Sequence, residues 1–239
     1  MRAYSNHVAN RQTKKEEHIM SKHVLMVVTN AKEMKEGHAT GLWLSEFAEA
    51  YIEFKNAGYT VTVASPNGGE SPIDARSLED EVPAEIQATA PLLKETLDLK
   101  AIQDFSAFDA IFMPGGHGTM FDLPQSDALN NALRTLFEAN KTVAAVCHGP
   151  AGLVSATLSD GTPLVAGKTI ATFTDEEERA TGLDVYMPFL LETRLRELGA
   201  NIITADNFTE NVQVDGNLVT GQNPQSTIAV AKAVINTLN

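Results

Sequence analysis

Six short, almost wholly apolar runs are spaced along the 239 residues, and they constrain the fold more than any other feature. The first, His23-Val24-Leu25-Met26-Val27-Val28-Thr29-Asn30, lacks polar alternation, as a strand covered on both faces does. The others are residues 59–64, 110–113, 143–146, 169–173 and 201–204. Between them, residues 41–57, 126–140, 187–198 and 227–238 carry helical periodicity. Strands alternating with helices predict βαβ units: a mostly parallel sheet with helices on both faces, a three-layer α/β sandwich. Gly58 and Gly199 stand where helices end before strands. Residues 212–219, centred on Asp215-Gly216, predict a hairpin, and residues 65–81 a surface loop. Residues 20–239 read as one α/β domain, and residues 1–19, polar and without apolar periodicity, as a disordered leader or upstream extension.

The net charge of −13 excludes nucleic acid and anionic membrane surfaces as expected partners, because both attract basic faces. No apolar run approaches the roughly 20 residues of a membrane-spanning helix. The single cysteine, Cys147, permits no internal disulfide, and a cytoplasmic location is expected.

That cysteine lies where the run Thr142-Val143-Ala144-Ala145-Val146 meets His148-Gly149-Pro150-Ala151-Gly152. Glycine followed by proline ends the strand and opens a helix. A residue at such a strand-to-helix elbow projects into the crevice above the carboxyl ends of the strands. A helix start and a neighbouring imidazole both favour thiolate, so the thiol is expected to titrate below the free value of about 8.5. Two other stretches bear on the same chemistry. Met113-Pro114-Gly115-Gly116-His117-Gly118 is a glycine turn after a strand, whose amides can approach an oxyanion. Thr40-Gly41-Leu42-Trp43-Leu44-Ser45-Glu46 enters a helix on which Glu46 borders the apolar stripe of Trp43 and Phe47. A carboxyl at that edge can be desolvated and serve as an acid or base. His38 and His117 are too few and too scattered to predict a metal site.

Together these three stretches resemble the ThiJ/PfpI superfamily, and within it the heat-shock chaperone-like glyoxalase branch. The similarity extends through Gly167-Lys168-Thr169-Ile170-Ala171-Thr172-Phe173-Thr174-Asp175 and Val219-Thr220-Gly221-Gln222-Asn223-Pro224-Gln225-Ser226. The resemblance implies a flavodoxin-like, glutamine-amidotransferase-type sandwich, usually a homodimer. It implies catalysis by Cys147 as nucleophile, His148 beside it and Glu46 as the acid at the sulfur. Gly115, Gly116 and His148 would form the oxyanion and substrate-binding set, with the amides of Gly116 and His148 as donors. Glu178 best matches the third triad acid, with Asp175, Glu176 and Glu177 as neighbouring alternatives. The implied reaction is glutathione-independent conversion of methylglyoxal to lactate, or deglycation, on a small dicarbonyl substrate without metal or other cofactor. Other members suggest an oxidative-stress sensor, a holding chaperone or a peptidase. No histidine follows His148, which argues against glutamine amidotransfer.

Overall fold

The computed structural model describes residues 21–239, so the expected leader lies outside the described residues. The chain runs β1 (His23–Val27), α1 (Leu44–Asn56), β2 (Thr60–Ser65), α2 (Ala84–Gln87), β3 (Leu97–Asp98) and β4 (Ala110–Met113). It continues through α3 (Thr119–Asp122), α4 (Asp127–Glu138), β5 (Thr142–Val146), β6 (Thr169–Ile170), α5 (Asp175–Thr181) and α6 (Leu191–Glu197). The last elements are β7 (Asn201–Ile202), β8 (Val212–Asp215), β9 (Leu218–Gly221) and α7 (Thr227–Leu238). The main sheet has the order β3-β2-β1-β4-β5-β9-β8. Every pairing in it is parallel except β8 with β9.

Successive side chains of a strand face opposite ways, so an unbroken apolar run supplies two cores at once. Leu25 and Val27 join Ile111, Met113, Val143 and Leu218 on one face, packed on Leu129, Leu133 and Leu136 of α4. Val24 and Met26 join Phe112, Ala144 and Val219 on the other, packed on Phe47 and Phe54 of α1 and Val230 and Val234 of α7. The expected α/β sandwich is therefore what forms. α4 begins at Ser126, whose Oγ accepts from Leu129 N–H and satisfies one free donor of the first turn.

Three details depart from the sequence reading. β1 ends at Val27 because Thr29 and Asn30 turn to the half-buried Asp122, with Thr29 Oγ1 donating at 2.8 Å and Asn30 N at 2.7 Å. The runs at 169–173 and 201–204 do not enter the main sheet. They shrink to β6 and β7, which pair only with each other. The β8–β9 hairpin takes the place beside β5 instead, with Val143 opposite Leu218, and Thr169 N is held off the sheet by Asp215 Oδ2 at 2.8 Å. The hairpin itself lies where the Asp215-Gly216 pair puts it. Among the described residues no helix is long and apolar enough to cross a membrane.

The carboxyl ends of β4 and β5 touch where the chain turns after each. A Cβ built on Gly149 would lie 2.0 Å from the Met113 carbonyl oxygen, which is backbone and cannot rotate away. Gly149→Ala is therefore expected to lower stability by about 1–3 kcal/mol, the range for overpacking a close contact. Thermal melting checks this, and a melting point within a degree of the parent would show that the two strand ends can part at little cost.

Candidate active site

Cys147 follows β5 directly and has φ 61°, a left-handed conformation rare for a residue with a side chain. Such strain costs of order 1–3 kcal/mol and persists only where neighbours hold it. Here Cys147 N donates to Gly221 O at 3.0 Å, while Phe173 N and Thr172 Oγ1 donate to Cys147 O at 3.0 and 3.3 Å. The next turn is also clamped, by Thr119 Oγ1 on His148 O (2.9 Å) and Gly116 O (2.8 Å). The elbow thus aims Sγ at the floor of a cavity of about 450 Å³. Trp43, Val82, Ile86, Phe173 and Phe208 supply its apolar wall, and Glu49, Arg76, Asp80 and Glu81 its charged rim.

The predicted residues converge on the sulfur from three elements. Glu46, fully buried on α1, accepts from Gly115 N–H at 2.6 Å through Oε2. Its Oε1 is buried without a hydrogen-bond partner among the described residues, and the carboxyl borders Cys147. Burial pushes Glu46 from an ordinary 4.5 up to about 8, against the opposing pull of the Gly115 amide and the thiol. It is therefore a neutral acid at pH 7. His148 Nδ1 lies 3.4 Å from Sγ, and His148 Nε2 lies 2.6 Å from Glu178 Oε2. A carboxylate can only accept, so His148 carries its proton on Nε2 and turns Nδ1 to the sulfur.

The four consecutive acids of α5 separate by partner. The helix opens with a capping box in which Thr174 and Glu177 bond each other's backbone, and this sets its rotation. Asp175 meets Thr193, and Glu176 points outward to Asn207. Glu177 accepts from Phe208 N, Gln222 and Asn223. Glu178 alone faces the imidazoles. Burial by itself would raise it, but the His148 and His117 rings outweigh that and hold its carboxyl well below the usual range.

Gly115 plays a different part from the one expected, since Glu46 occupies its amide. The Gly116 amide bonds no other backbone group among the described residues, and the His148 amide faces the sulfur. The expected low thiol pKa is not met: burial, then the Glu46 carboxyl, push Cys147 well above the ordinary value. The reason lies in two local features. The turn after the elbow, Gly149–Leu153, is a short 3-10 helix with little dipole to offer, and Cys147 is buried, only 4% exposed.

Sequence reasoning also missed His117. It is not isolated: its ring lies 4.1 Å from that of His148, centre to centre and tilted by 40°, and Nε2 lies 2.9 Å from Glu178 Oε1. Its presence in the glycine turn was visible, but the three-dimensional meeting with α5 was not. His38 lies elsewhere, its ring against that of Tyr186 at a tilt of 42°. Among the described residues, His117, His148 and Glu178 have donor atoms close enough to share a metal ion, within 4.8 Å of one another, although hydrogen bonds already join Glu178 to both rings.

The profile of the DJ-1/PfpI family matches residues 38–237. Glyoxalase 3 of Candida albicans is 31% identical over 237 residues, covering 89% of this chain and 96% of that protein. A protein/nucleic acid deglycase, HchA of Escherichia coli, is 35% identical over 131 residues, which is 53% of this chain and 45% of that protein. The crystal structure of glyoxalase III from Candida albicans superposes with a TM-score of 0.83 at 28% identity, covering 91% of this chain and 98% of that one.

Two outcomes follow from the buried acid and thiol. Between pH 4.5 and about 8 the folded protein keeps a proton on Glu46 that the unfolded chain has released, so stability falls as pH rises through that window. Glu46→Gln is expected to flatten this decline in thermal melting. A part of it will remain, since burial also raises Asp122 and Glu49, to about 6 and about 7. An unaltered slope would mean that Glu46 is not the buried proton holder. Alkylation of the single thiol, followed against pH, is expected to reach half its maximum rate above the free-cysteine value of about 8.5.

Proposed function

Because the chain belongs to the DJ-1/PfpI family, we propose that it is a glutathione-independent glyoxalase that converts methylglyoxal to lactate through Cys147. The observation that carries this reading is the placing of two groups of opposite character at one sulfur. A neutral buried carboxyl, Glu46, borders it, and an imidazole backed by an ionised carboxylate stands at 3.4 Å. Isomerising a 2-oxoaldehyde needs a nucleophile, an oxyanion site and an acid/base that moves a proton between adjacent carbons.

In this reading Cys147 Sγ adds to the aldehyde carbon while His148 Nδ1 takes the thiol proton. The Gly116 and His148 amides hold the new oxyanion, and Glu46 gives it a proton, completing a hemithioacetal. Glu46, now a carboxylate, removes the hydrogen from the former aldehyde carbon, and His148 protonates the neighbouring oxygen to give an enediol. Glu46 then returns its proton to the second carbon and His148 takes one from the first oxygen, leaving a thioester. Water, deprotonated by the Glu46 carboxylate, opens the thioester, and His148 hands its proton to the leaving sulfur, which releases lactate and restores the thiol, the neutral imidazole and the neutral carboxyl. The high thiol pKa is compatible with this order, because deprotonation accompanies attack instead of preceding it. A nucleophilic thiol has to stay reduced, which suits the cytoplasm. A homodimer is the assembly common in the superfamily, and sedimentation tests it.

A second reading, deglycation of amines, draws on the size of the cavity. About 450 Å³ is ample for more than a three-carbon dicarbonyl, and its rim carries Glu49, Asp80 and Glu81. An amine-borne adduct would fill that space and meet those acids.

Incubating the purified chain with methylglyoxal, without glutathione, and measuring lactate tests the first reading. Cys147→Ser is expected to abolish turnover, and Glu46→Gln to remove it while leaving an alkylatable thiol. Glu178→Ala should weaken it only in part. Near-normal turnover in Glu46→Gln with none in Glu178→Ala would reverse the two roles, and lactate released only from glycated amines would favour the second reading.

A further inference from the structure

We propose that His117 is a positioning residue of this site. Its Nε2–H holds Glu178 Oε1, so that Oε2 meets His148 in one fixed orientation. The proposal rests on the assignment of Cys147 and His148 as the reacting pair.

Glu178 has two oxygens and a different imidazole on each, at 2.9 Å from His117 and 2.6 Å from His148. Its remaining side-chain neighbour is Thr181 Oγ1 on the same helix, 3.5 Å from Oε1. His117 lines the cavity, so its ring stands between the carboxylate and the space that substrate and water enter. Without it, Oε1 would be solvated from that side and the carboxylate plane free to turn. His148 would then lose the support that keeps Nδ1 facing the sulfur.

The state of His117 suits this task. Burial, then the charge of His148, push it down to about 4, so at neutral pH it supplies a donor without a second positive charge. A charged neighbour would oppose proton uptake by His148 during attack. Behind His117, Arg76 Nη2 lies 3.5 Å from Nδ1, which keeps that nitrogen an acceptor and the proton on Nε2. Arg76 is in turn paired with Asp74, which also accepts from Thr40 Oγ1. A continuous line of groups thus leads from Asp74 through Arg76, His117, Glu178 and His148 to Cys147. The other acids here, Glu46 at the sulfur and Glu177 on Asn223, face other partners.

Two full-chain variants separate a hydrogen-bond donor from mere bulk. His117→Leu removes the donor, whereas His117→Gln keeps an N–H that can reach Glu178. The first measurement, alkylation of Cys147 by iodoacetamide against pH, does not depend on turnover. His117→Leu is expected to slow alkylation and move its profile to higher pH, while His117→Gln stays close to the parent. The second is methylglyoxal turnover, where His117→Leu should reduce kcat by up to about 10²-fold with KM nearly unchanged, as loss of orientation does. In a Glu178→Gln background, adding His117→Leu should cost nothing further in alkylation rate. Identical alkylation profiles in all three proteins would overturn the proposal, as would equal losses in Leu and Gln, or an undiminished loss in the Glu178→Gln background. If the parent chain alkylates as expected but makes no lactate, the glyoxalase reading fails while the positioning role is still decided by alkylation.

Discussion

The left-handed backbone at Cys147 is the constraint on which the site depends. A side chain resists that conformation, and the surrounding hydrogen bonds, given by Cys147 N to Gly221 O and received by Cys147 O from Phe173 and Thr172, maintain it. Those partners come from β9 and from the segment after β6, so the hairpin that displaces β6 from the sheet also secures the elbow. The two cores have a similar role at longer range. Interlocked through alternate residues of the same strands, they fix the ends of β4 and β5 against each other, and both turns of the site rise from those ends.

Three buried glutamates then show how surroundings decide what one side-chain type does. Glu46 lies among apolar neighbours with a single amide donor, and burial keeps its proton on. Glu178 meets two imidazoles and stays ionised despite burial. Glu177 is committed to Phe208 N, Gln222 and Asn223, ties the cavity wall to the loop after β9, and faces no imidazole. Chemical roles diverge here through partners alone.

Much of this was legible in the amino-acid sequence. Continuous apolar runs announced doubly covered strands, and the glycine and proline after Cys147 announced the elbow. The choice of Glu178 among four adjacent acids came from likeness to relatives, because the answer depends on the rotation of α5, which the Thr174–Glu177 capping box sets. β6 and β7 read as sheet strands since their apolar content is the same as that of true members. What excludes them is competition with the hairpin that follows them in the chain. The thiol pKa was misjudged for a similar reason: helix starts and histidines are visible in a sequence, whereas desolvation of a sulfur is a property of the finished packing. His117 escaped notice because its partner stands 61 residues away on a different element.

The cavity divides unevenly along the chain. Nucleophile, imidazoles and acids are carried by the sheet ends, α1 and α5, but Arg76, Ser77, Asp80, Glu81, Val82, Pro83 and Ile86 all fall within one stretch between β2 and β3. A single surface excursion of the backbone therefore supplies a large share of the wall. Surface connections accept insertion and exchange far more readily than buried strands do. Apart from the Asp74–Arg76 pair that backs His117, this excursion stands clear of the reacting groups, so that exchanging residues 80–86 alone would recast what the chain accepts without disturbing how it reacts.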